Sequence, residues 1–305
     1  MSGKVLSPIA ITPDMVTACS VAEPDSTVGE VEWAAATSYA VGQEVVRTTT
    51  HRLYANLIAG VDATPPENAP NRWMDVRPTN KFAAFDHYQS TAIRRAGTLT
   101  MTVKPGIITD MVWYGLEGDS LHVVCKNATS GAVYHDETIA LSQYLSGDLM
   151  WEFYFGVARQ RQRASITGLV PDDALVELTL TASPVTGFAG IGIWALGHFD
   201  SIGLPLTGFT AEPITYRRIK TDDYGNLTVT GGPSAKNLNG NFFLPSEEAN
   251  ALCDIITRNL GVPCAWVVSQ LPQYDYLSAF GLGEAKLTAD NASTVGVSMT
   301  VRGTI

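Results

Sequence analysis

Alternating apolar and polar positions mark the middle of the chain as β-structure. In one segment Leu99, Met101 and Val103 face one side, and three threonines face the other. Residues 174–181 alternate in the same way, and turn-forming residues separate such segments at fairly even spacing. Because short strands with turns between them are typical of a sandwich or barrel, we predict a jelly-roll-like β-sandwich over residues 89–204. Its predicted strands are 98–104, 120–126, 149–156, 174–181 and 189–197.

The last hundred or so residues also predict short β-strands, but they include one predicted helix. The sequence DDYGN at 222–226 predicts a hairpin turn between two strand-like segments. Residues 246–260 predict a helix, because acidic residues occupy the first turn, apolar residues recur at helical spacing and Gly261 follows the end. We therefore predict a C-terminal β-domain over residues 205–305 that contains this helix. Its predicted strands are 213–222, 226–231, 263–269 and 295–303.

The N-terminal part divides into an arm and a small module. Residues 1–28 show little periodicity and hold three prolines, so we predict an arm that docks on other structure, with an edge strand as one option. Residues 29–88 predict a compact β-module that ends in a loop rich in Pro and Asn. So short a unit buries little apolar area, and its aromatic residues or a neighbour must supply the rest. The predicted fold class is therefore all-β and multidomain.

Composition and charge narrow the classes of function. Of the 305 residues, 45% are apolar, which suffices for packed cores, and only 16% are charged. A net charge of −10 argues against nucleic-acid binding, which gains most of its free energy from cationic side chains. No stretch reaches the roughly 18 uncharged apolar residues of a membrane span, and the N-terminus lacks the pattern of a secretory signal. We expect synthesis in a cytoplasm without a signal peptide, and no membrane insertion.

Neither the cationic side chains nor the cysteines mark a site. The densest basic run is Arg159, Arg161 and Arg163, which is short and flanked by Gln and Ala. We predict that it is a solvated strand edge or loop. The four cysteines are scattered without a C-x-x-C pair, so we expect buried free thiols.

Recognisable catalytic motifs are absent, and we predict that the protein is not an enzyme. No nucleophile elbow, phosphate loop or dinucleotide fingerprint occurs, and the five histidines lack zinc-ligand spacing. Glu152 and Glu177 are conceivable glycosidase acids, but alternation places both on polar strand faces, which is the ordinary explanation. Asp172 and Asp173 are predicted turn residues, with a structural calcium ion as the alternative. We expect no cofactor and no other metal.

Four aromatic residues of the small module are the candidate ligand-binding residues: Trp33, Tyr39, Tyr54 and Trp73. Flat rings at a surface stack on the apolar faces of sugars and lose little conformational entropy in doing so. The alternative is that the rings form the core of the module, and for any single ring we favour that alternative. For the set we expect at least one exposed ring. A third possibility is that the module docks on another protein.

The order of residues in this module resembles that of the small chitin-binding-type carbohydrate-binding modules. The resemblance covers residues 29–86, and Gln43 and Glu44 depart from it where the family prefers an acidic residue directly after the glycine. The resemblance implies sugar binding by the aromatic set. The matching features are Trp33, then Tyr39-x-x-Gly42, a Val pair, Tyr54, Pro65-Pro66 and Trp73.

The segment RPTNKFAAFD that follows resembles a segment of tail-tip, neck and tail-fibre proteins of tailed bacteriophages. The order of parts, from arm to module to sandwich to C-terminal domain, is also similar to those proteins. The matching residues are Arg77, Pro78, Asn80, Phe82, Phe85 and Asp86.

This second resemblance implies a structural component of a phage virion, located in the tail as a tail-tip, baseplate or fibre-associated protein. It implies other virion tail proteins as partners, a homo-oligomer of threefold or sixfold symmetry, and a contribution to adhesion on a host-surface glycan. The alternatives are a free glycan-binding lectin and, with less support, a polysaccharide-degrading enzyme.

Overall fold

The described part of the chain is built mostly of β-strands, with one α-helix near its C-terminal end, which confirms the predicted all-β class. The computed structural model describes residues 2–143, 159–221, 225–289, 291 and 293–304. The predicted strand 149–156, which contains Glu152, lies outside the described residues, as do three residues of the predicted turn at 222–226.

The N-terminal part and the small module contain seven short strands. They are β1 (Gly3–Pro8), β2 (Val16–Cys19), β3 (Ser38–Tyr39), β4 (Glu44–Arg47), β5 (Arg52–Asn56), β6 (Gly60–Val61) and β7 (Trp73–Pro78). Antiparallel β4, β5 and β7 form the main sheet of the module, and β3 pairs with β6. Short 3-10 helices connect the strands at Pro13–Met15, Ser26–Val28, Pro66–Asn68 and Asn80–Phe85.

The described residues of the region predicted as a sandwich form three long strands and six shorter ones. They are β8 (Ile93–Ala96), β9 (Leu99–Tyr114), β10 (Ser120–Asn127), β11 (Val133–Ala140), β12 (Ser142–Gln143), β13 (Arg159–Gln160), β14 (Arg163–Thr181), β15 (Phe188–Ile191) and β16 (Ile193–Pro205). The strands predicted at 98–104, 120–126 and 174–181 fall within β9, β10 and β14.

Two of these long strands, β9 and β14, lie at the centre of the sheet in this region. They pair with each other along most of their length, and the register shifts near the middle of both. Leu99 and Met101 from the first half of β9 pack in the same buried cluster as Met111 and Trp113 from its second half. This region was predicted to be a jelly-roll-like sandwich. In the structure both halves of β9 contribute to one buried core, and the bulges at the register shifts bend the strand.

Where the structure describes it, the C-terminal part forms seven strands and the helix. They are β17 (Thr210–Thr215), β18 (Arg218–Thr221), β19 (Leu227–Thr230), β20 (Ser234–Pro245), α1 (Ala249–Asn259), β21 (Cys264–Val267), β22 (Ser278–Ala289) and β23 (Thr294–Gly303). The helix predicted at 246–260 is present, but Ser246–Glu248 form a 3-10 turn and α1 proper begins at Ala249. A further 3-10 segment spans Pro272–Leu277.

Six strands close into an antiparallel barrel in this part of the molecule. Their order is β16, β1, β21, β22, β23 and β20, and β20 returns to β16 through Leu204 opposite Phe243. Trp266 and Phe242 fill the interior, and α1 adds Leu252 and Ile256 to the same core. The barrel and the sandwich share β16 and are therefore one continuous sheet.

The first residues of the chain are part of this barrel. Strand β1 lies between β16 and β21 and pairs with both, so it is an interior strand rather than the edge strand considered from the sequence. Its side chains explain the position, because Val5 and Leu6 are fully buried on opposite faces of the sheet. The later strand β2 pairs with β9 of the sandwich. The division into domains at 28, 88 and 204 stays a prediction.

Candidate functional site

Three of the four candidate aromatic residues form the core of the small module. Tyr39, Tyr54 and Trp73 are buried together with Val45, and the ring of Tyr39 meets the ring of Trp73 edge-on at 5.3 Å between centroids. A ring enclosed in this way has no face available to a sugar. For these three residues the structure therefore supports the core alternative rather than the stacking role.

The spacing of Tyr39 and Gly42 has a local cause in the turn between β3 and β4. Gly42 has a φ of 81°, a conformation that favours glycine, and its N–H donates to the carbonyl of Asn56 at 2.7 Å. The buried amide of Asn56 in turn donates to the carbonyls of Tyr39 and Ala40 at 3.1 and 3.0 Å. These bonds hold the turn against β5 and keep the ring of Tyr39 in the core.

Trp33 is the member of the set that keeps partial access to solvent. It is half-buried and packs against the edge of the module core. The guanidinium of Arg47 lies over its ring at 4.9 Å, and two hydrogen bonds to Glu67, at 3.0 and 2.9 Å, fix that guanidinium. One face of the indole is thus occupied by a cation, which leaves at most the other for a ligand.

An exposed apolar patch lies at the end of the module. Its members surround the β3–β6 pair and the turn that Gly42 makes, and each exposes between 46% and 66% of its surface. Clustered exposed apolar side chains on a small module mark a contact surface more often than isolated ones do. The patch consists of Val41, Leu57, Ile58 and Val61.

A buried polar network joins the module to the rest of the chain through Asn80. The side-chain amide of Asn80 donates to Asp25 at 2.7 Å and to the carbonyl of Arg94 at 3.0 Å, and its oxygen accepts from the Arg94 N–H at 2.9 Å. The carboxylate of Glu30 accepts from the N–H groups of Asn80 and Asp25 at 2.7 and 2.8 Å. Burial acts to raise the pKa of Asp25, but hydrogen bonds from Thr27 and Asn80 outweigh it and hold that pKa below its ordinary value.

The remaining residues of the RPTNKFAAFD segment contact both sides of the same junction. Phe82 packs on the ring of His51 at 4.4 Å, and Phe85 stacks on Trp194 of the sandwich at 5.7 Å. Burial raises the pKa of Asp86 to about 6, although this carboxylate accepts hydrogen bonds from Thr91 and from the N–H of Tyr88. The segment that resembles phage tail proteins is therefore the connector between module and sandwich.

An open cleft of about 420 Å³ lies beside this connector, between the module and the N-terminal segment at Ile11 and Pro13. Arg52, Arg77 and Asp86 line it, and the ring of Tyr88, which is 57% exposed, stands at its rim. An accessible flat ring beside polar side chains is the arrangement that sugar binding requires. Tyr88 was not predicted from the sequence because it lies outside the aromatic set of the module and carries no motif of its own.

Other predicted groups have ordinary structural roles. Glu177 pairs with Lys126 at 2.6 Å on a polar strand face. Asp172 and Asp173, predicted as turn residues, lie instead within β14, where Asp172 accepts two hydrogen bonds from the amide of Asn127, both at 2.8 Å. In the part of the chain that the structure describes, no group of three or more His, Cys, Asp or Glu side chains is placed to hold a metal ion. The described helices include none long and apolar enough to cross a membrane.

The cysteine prediction needs one correction, and the basic run needs another. Cys125 and Cys264 are buried free thiols as predicted, but Cys19 is only partly buried and Cys253 is exposed on α1. Arg163 was predicted to lie on a solvated edge or loop, yet it is 9% exposed and bonds to Asp275 at 2.6 Å. Its distance from Asp275 along the chain hid that partner from sequence reasoning.

Comparisons with known proteins add little to this geometry. No protein-family model matches the chain, and no curated protein sequence matches it either. Among solved structures, chitosan-binding module 1 of a chitosanase/glucanase from Paenibacillus sp. IK-5 is similar over 38% of this chain and 81% of that module, at 10% identity and a TM-score of 0.26. At that score the similarity carries no argument about the fold or the function of this chain.

Proposed function

We propose that the protein is a structural component of a tailed-bacteriophage virion, located in the tail at the tip, baseplate or fibres. In this proposal the small module is the contact unit, and the barrel and sandwich are the rigid body that presents it. The partners are other virion tail proteins, further copies of this chain in threefold or sixfold symmetry, and a host-surface glycan.

The observation that carries the proposal is the connector. The residues of the phage-like segment, from Arg77 to Asp86, are those that anchor the module to the body through the Asn80 network and the Phe82 and Phe85 contacts. A module fixed by a buried polar network moves with its platform, as an adhesion or docking unit of a particle must. The exposed patch of Val41, Leu57, Ile58 and Val61 offers that unit a surface for a neighbouring protein.

Labelling of virions tests the location. Virions from the producing lysate are imaged by electron microscopy with a gold-conjugated antibody against this chain. We expect label on the tail, and the labelled position then identifies the neighbouring proteins. Particles that carry no label, in a lysate where the antibody detects the chain, would contradict the proposal and favour a free lectin.

Glycan adhesion is tested on the purified protein with two aromatic variants. Trp33→Ala removes the half-buried ring of the module, and Tyr88→Ala removes the exposed ring at the cleft. We expect binding to host surface polysaccharide to weaken in at least one of them. Tyr216→Ala, which removes a 55% exposed ring far along the chain, is the matched control and should bind as the parent does. Unchanged binding in all three folded variants would remove adhesion from the proposal and leave docking.

A further inference from the structure

A second cleft lies between the sandwich and the barrel, and Gln89, directly after the small module, is part of its lining. It has a volume of about 260 Å³. Tyr114 of β9 and Phe280 of β22 form an apolar wall, with 6.0 Å between their ring centroids. Arg163, Lys236 and Asp275 supply its charges. The cleft therefore combines flat apolar surface with a compact charged group.

The charged group contains more cations than anions. Asp275 uses one carboxylate oxygen for Arg163, at 2.6 Å, and the other for Arg161, at 2.8 Å. The ammonium of Lys236 donates to the carbonyl of Tyr276 at 2.9 Å and has no carboxylate partner among the described residues. Three positive charges thus stand against one negative charge, in a chain whose overall net charge is −10.

Some donors of this group are buried and unused. The Nε atoms of Arg161 and Arg163 are buried without a hydrogen-bond partner, although buried donors in proteins are nearly always paired. Burial is the main cause that lowers the pKa of Lys236, with the positive charge of Arg163 second. Asp275 offsets part of this positive charge, since it pairs with both arginines and acts to raise the pKa of Lys236. An anion in the cleft would compensate the remaining positive charge.

The shape of the donors indicates which anion fits. A guanidinium presents a planar fork that matches a carboxylate in a bidentate way, and charge-assisted bonds of this kind are the strong ones. Tyr114 and Phe280 are only 6% and 5% exposed, but unlike the enclosed rings of the module core they line an open cleft, where the ring surface they expose suits the apolar part of a sugar. A drug-sized ligand takes about 300–1,000 Å³, so a cleft just below that range admits a single sugar unit.

We propose that this cleft binds the carboxylate-bearing sugar unit of an acidic glycan, with Arg163 and Lys236 contacting the carboxylate and Tyr114 and Phe280 contacting the ring. The choice of a sugar rests on the proposed adhesive function, whereas the choice of a carboxylate rests on the charges alone. The site is separate from the aromatic residues of the small module.

Binding to the purified full chain is measured by isothermal titration calorimetry, with sodium glucuronate as the probe. We expect saturable binding that weakens as sodium chloride is added, because screening reduces the attraction between the charges. Glucose at the same concentration should not bind. Absence of glucuronate binding at its highest soluble concentration, or equal binding of glucose, would overturn the proposal.

Two further ligands separate the carboxylate from the sugar. Acetate carries the carboxylate without the ring, and we expect it to bind at least about tenfold more weakly than glucuronate. Equal affinity for acetate would remove the sugar from the proposal. Inorganic phosphate tests for a general anion site, and phosphate that binds more tightly than glucuronate would refute the preference for a carboxylate.

Matched lysine variants locate the site. Lys236→Met removes one cation without breaking an ion pair, so it keeps the Arg163–Asp275 contact that Arg163→Gln would break. We expect it to weaken glucuronate binding by roughly tenfold to a hundredfold. Lys286→Met, at an exposed position of β22, should leave the affinity unchanged. Equal affinities in the parent and both variants would place any observed binding elsewhere.

These results are distinguishable from a failure of the proposed function. Glucuronate binding by a protein that is absent from virions would refute the virion location and leave the cleft assignment intact. If virions are labelled but the purified protein does not bind glucuronate, only the cleft assignment is refuted.

Discussion

Replacement of Asn80 by alanine removes the central side chain of the junction between module and body. Three hydrogen bonds disappear together: those to Asp25 and to the carbonyl of Arg94, and the one from the Arg94 N–H. Asn80 and Asp25 are 4% and 6% exposed, so water replaces these partners poorly. The carboxylate of Asp25 loses a donor and stays buried.

The size of the effect follows from the kinds of bond lost. A neutral hydrogen bond contributes about 1 kcal/mol, and one to a charged group about 1.5–3 kcal/mol. Two of the first kind and one of the second give an expected loss of roughly 3–5 kcal/mol in the free energy of unfolding, a large part of the 5–15 kcal/mol typical of a native protein. The pKa of Asp25 is lowered in the folded state, so its contribution is present above its ordinary value of 3.8 and is lost as the pH falls through the folded value.

Urea unfolding followed by tryptophan fluorescence and circular dichroism measures this loss at pH 7 and again near pH 3. We expect the difference between Asn80→Ala and the parent to be smaller at the lower pH. The exposed Asn71, changed to alanine in the same module, is the control and should alter stability by no more than about 0.5 kcal/mol. A loss below about 1 kcal/mol at pH 7 for Asn80→Ala would refute the view that the network joins module and body.

Three further predictions concern the barrel, the connector and the thiols. A Cβ at Gly283 would lie 2.0 Å from the ring of Trp266, so Gly283→Ala should lower stability in urea by about 1–3 kcal/mol or more. Burial raises the pKa of Asp86 to about 6, above its unfolded value of 3.8, so unfolding free energy should fall as the pH rises between them, and Asp86→Asn should flatten that slope. Cys253 should react rapidly with a thiol reagent in the native protein, and Cys125, whose pKa burial raises to about 12, only after unfolding.

Alternation in the sequence predicted those strands that have one solvated face. Leu99, Met101 and Val103 point into the core while their neighbours face water, so the pattern is visible. Farther along the same strand, residues 111–114 are buried on both faces, because one face packs in the sandwich core and the other against β1 and β22. No alternation exists there, and the length and bend of the strand were therefore not predictable.

The sequence allowed the aromatic residues of the module to be predicted as a group, but it did not show which of their rings lie at the surface. The order of aromatic residues located the module, but which ring faces solvent depends on how β4, β5 and β7 pack, and that packing encloses Tyr39 and Trp73. The prediction that Arg163 lies on a solvated edge or loop was wrong for a different reason. A charged residue in a sequence is expected at the surface, and its partner Asp275 is 112 residues away along the chain.

The interior position of β1 imposes an order on folding. The strand is synthesised early, yet its two neighbours are β16 and β21, which follow it by most of the length of the chain. Contacts of such long sequence separation form slowly, because the intervening chain must first be brought together. Until then β16 and β21 present open edges to any strand of suitable register. This topology therefore favours domain swapping, in which neighbouring chains exchange β1. Dilution during refolding should suppress this exchange.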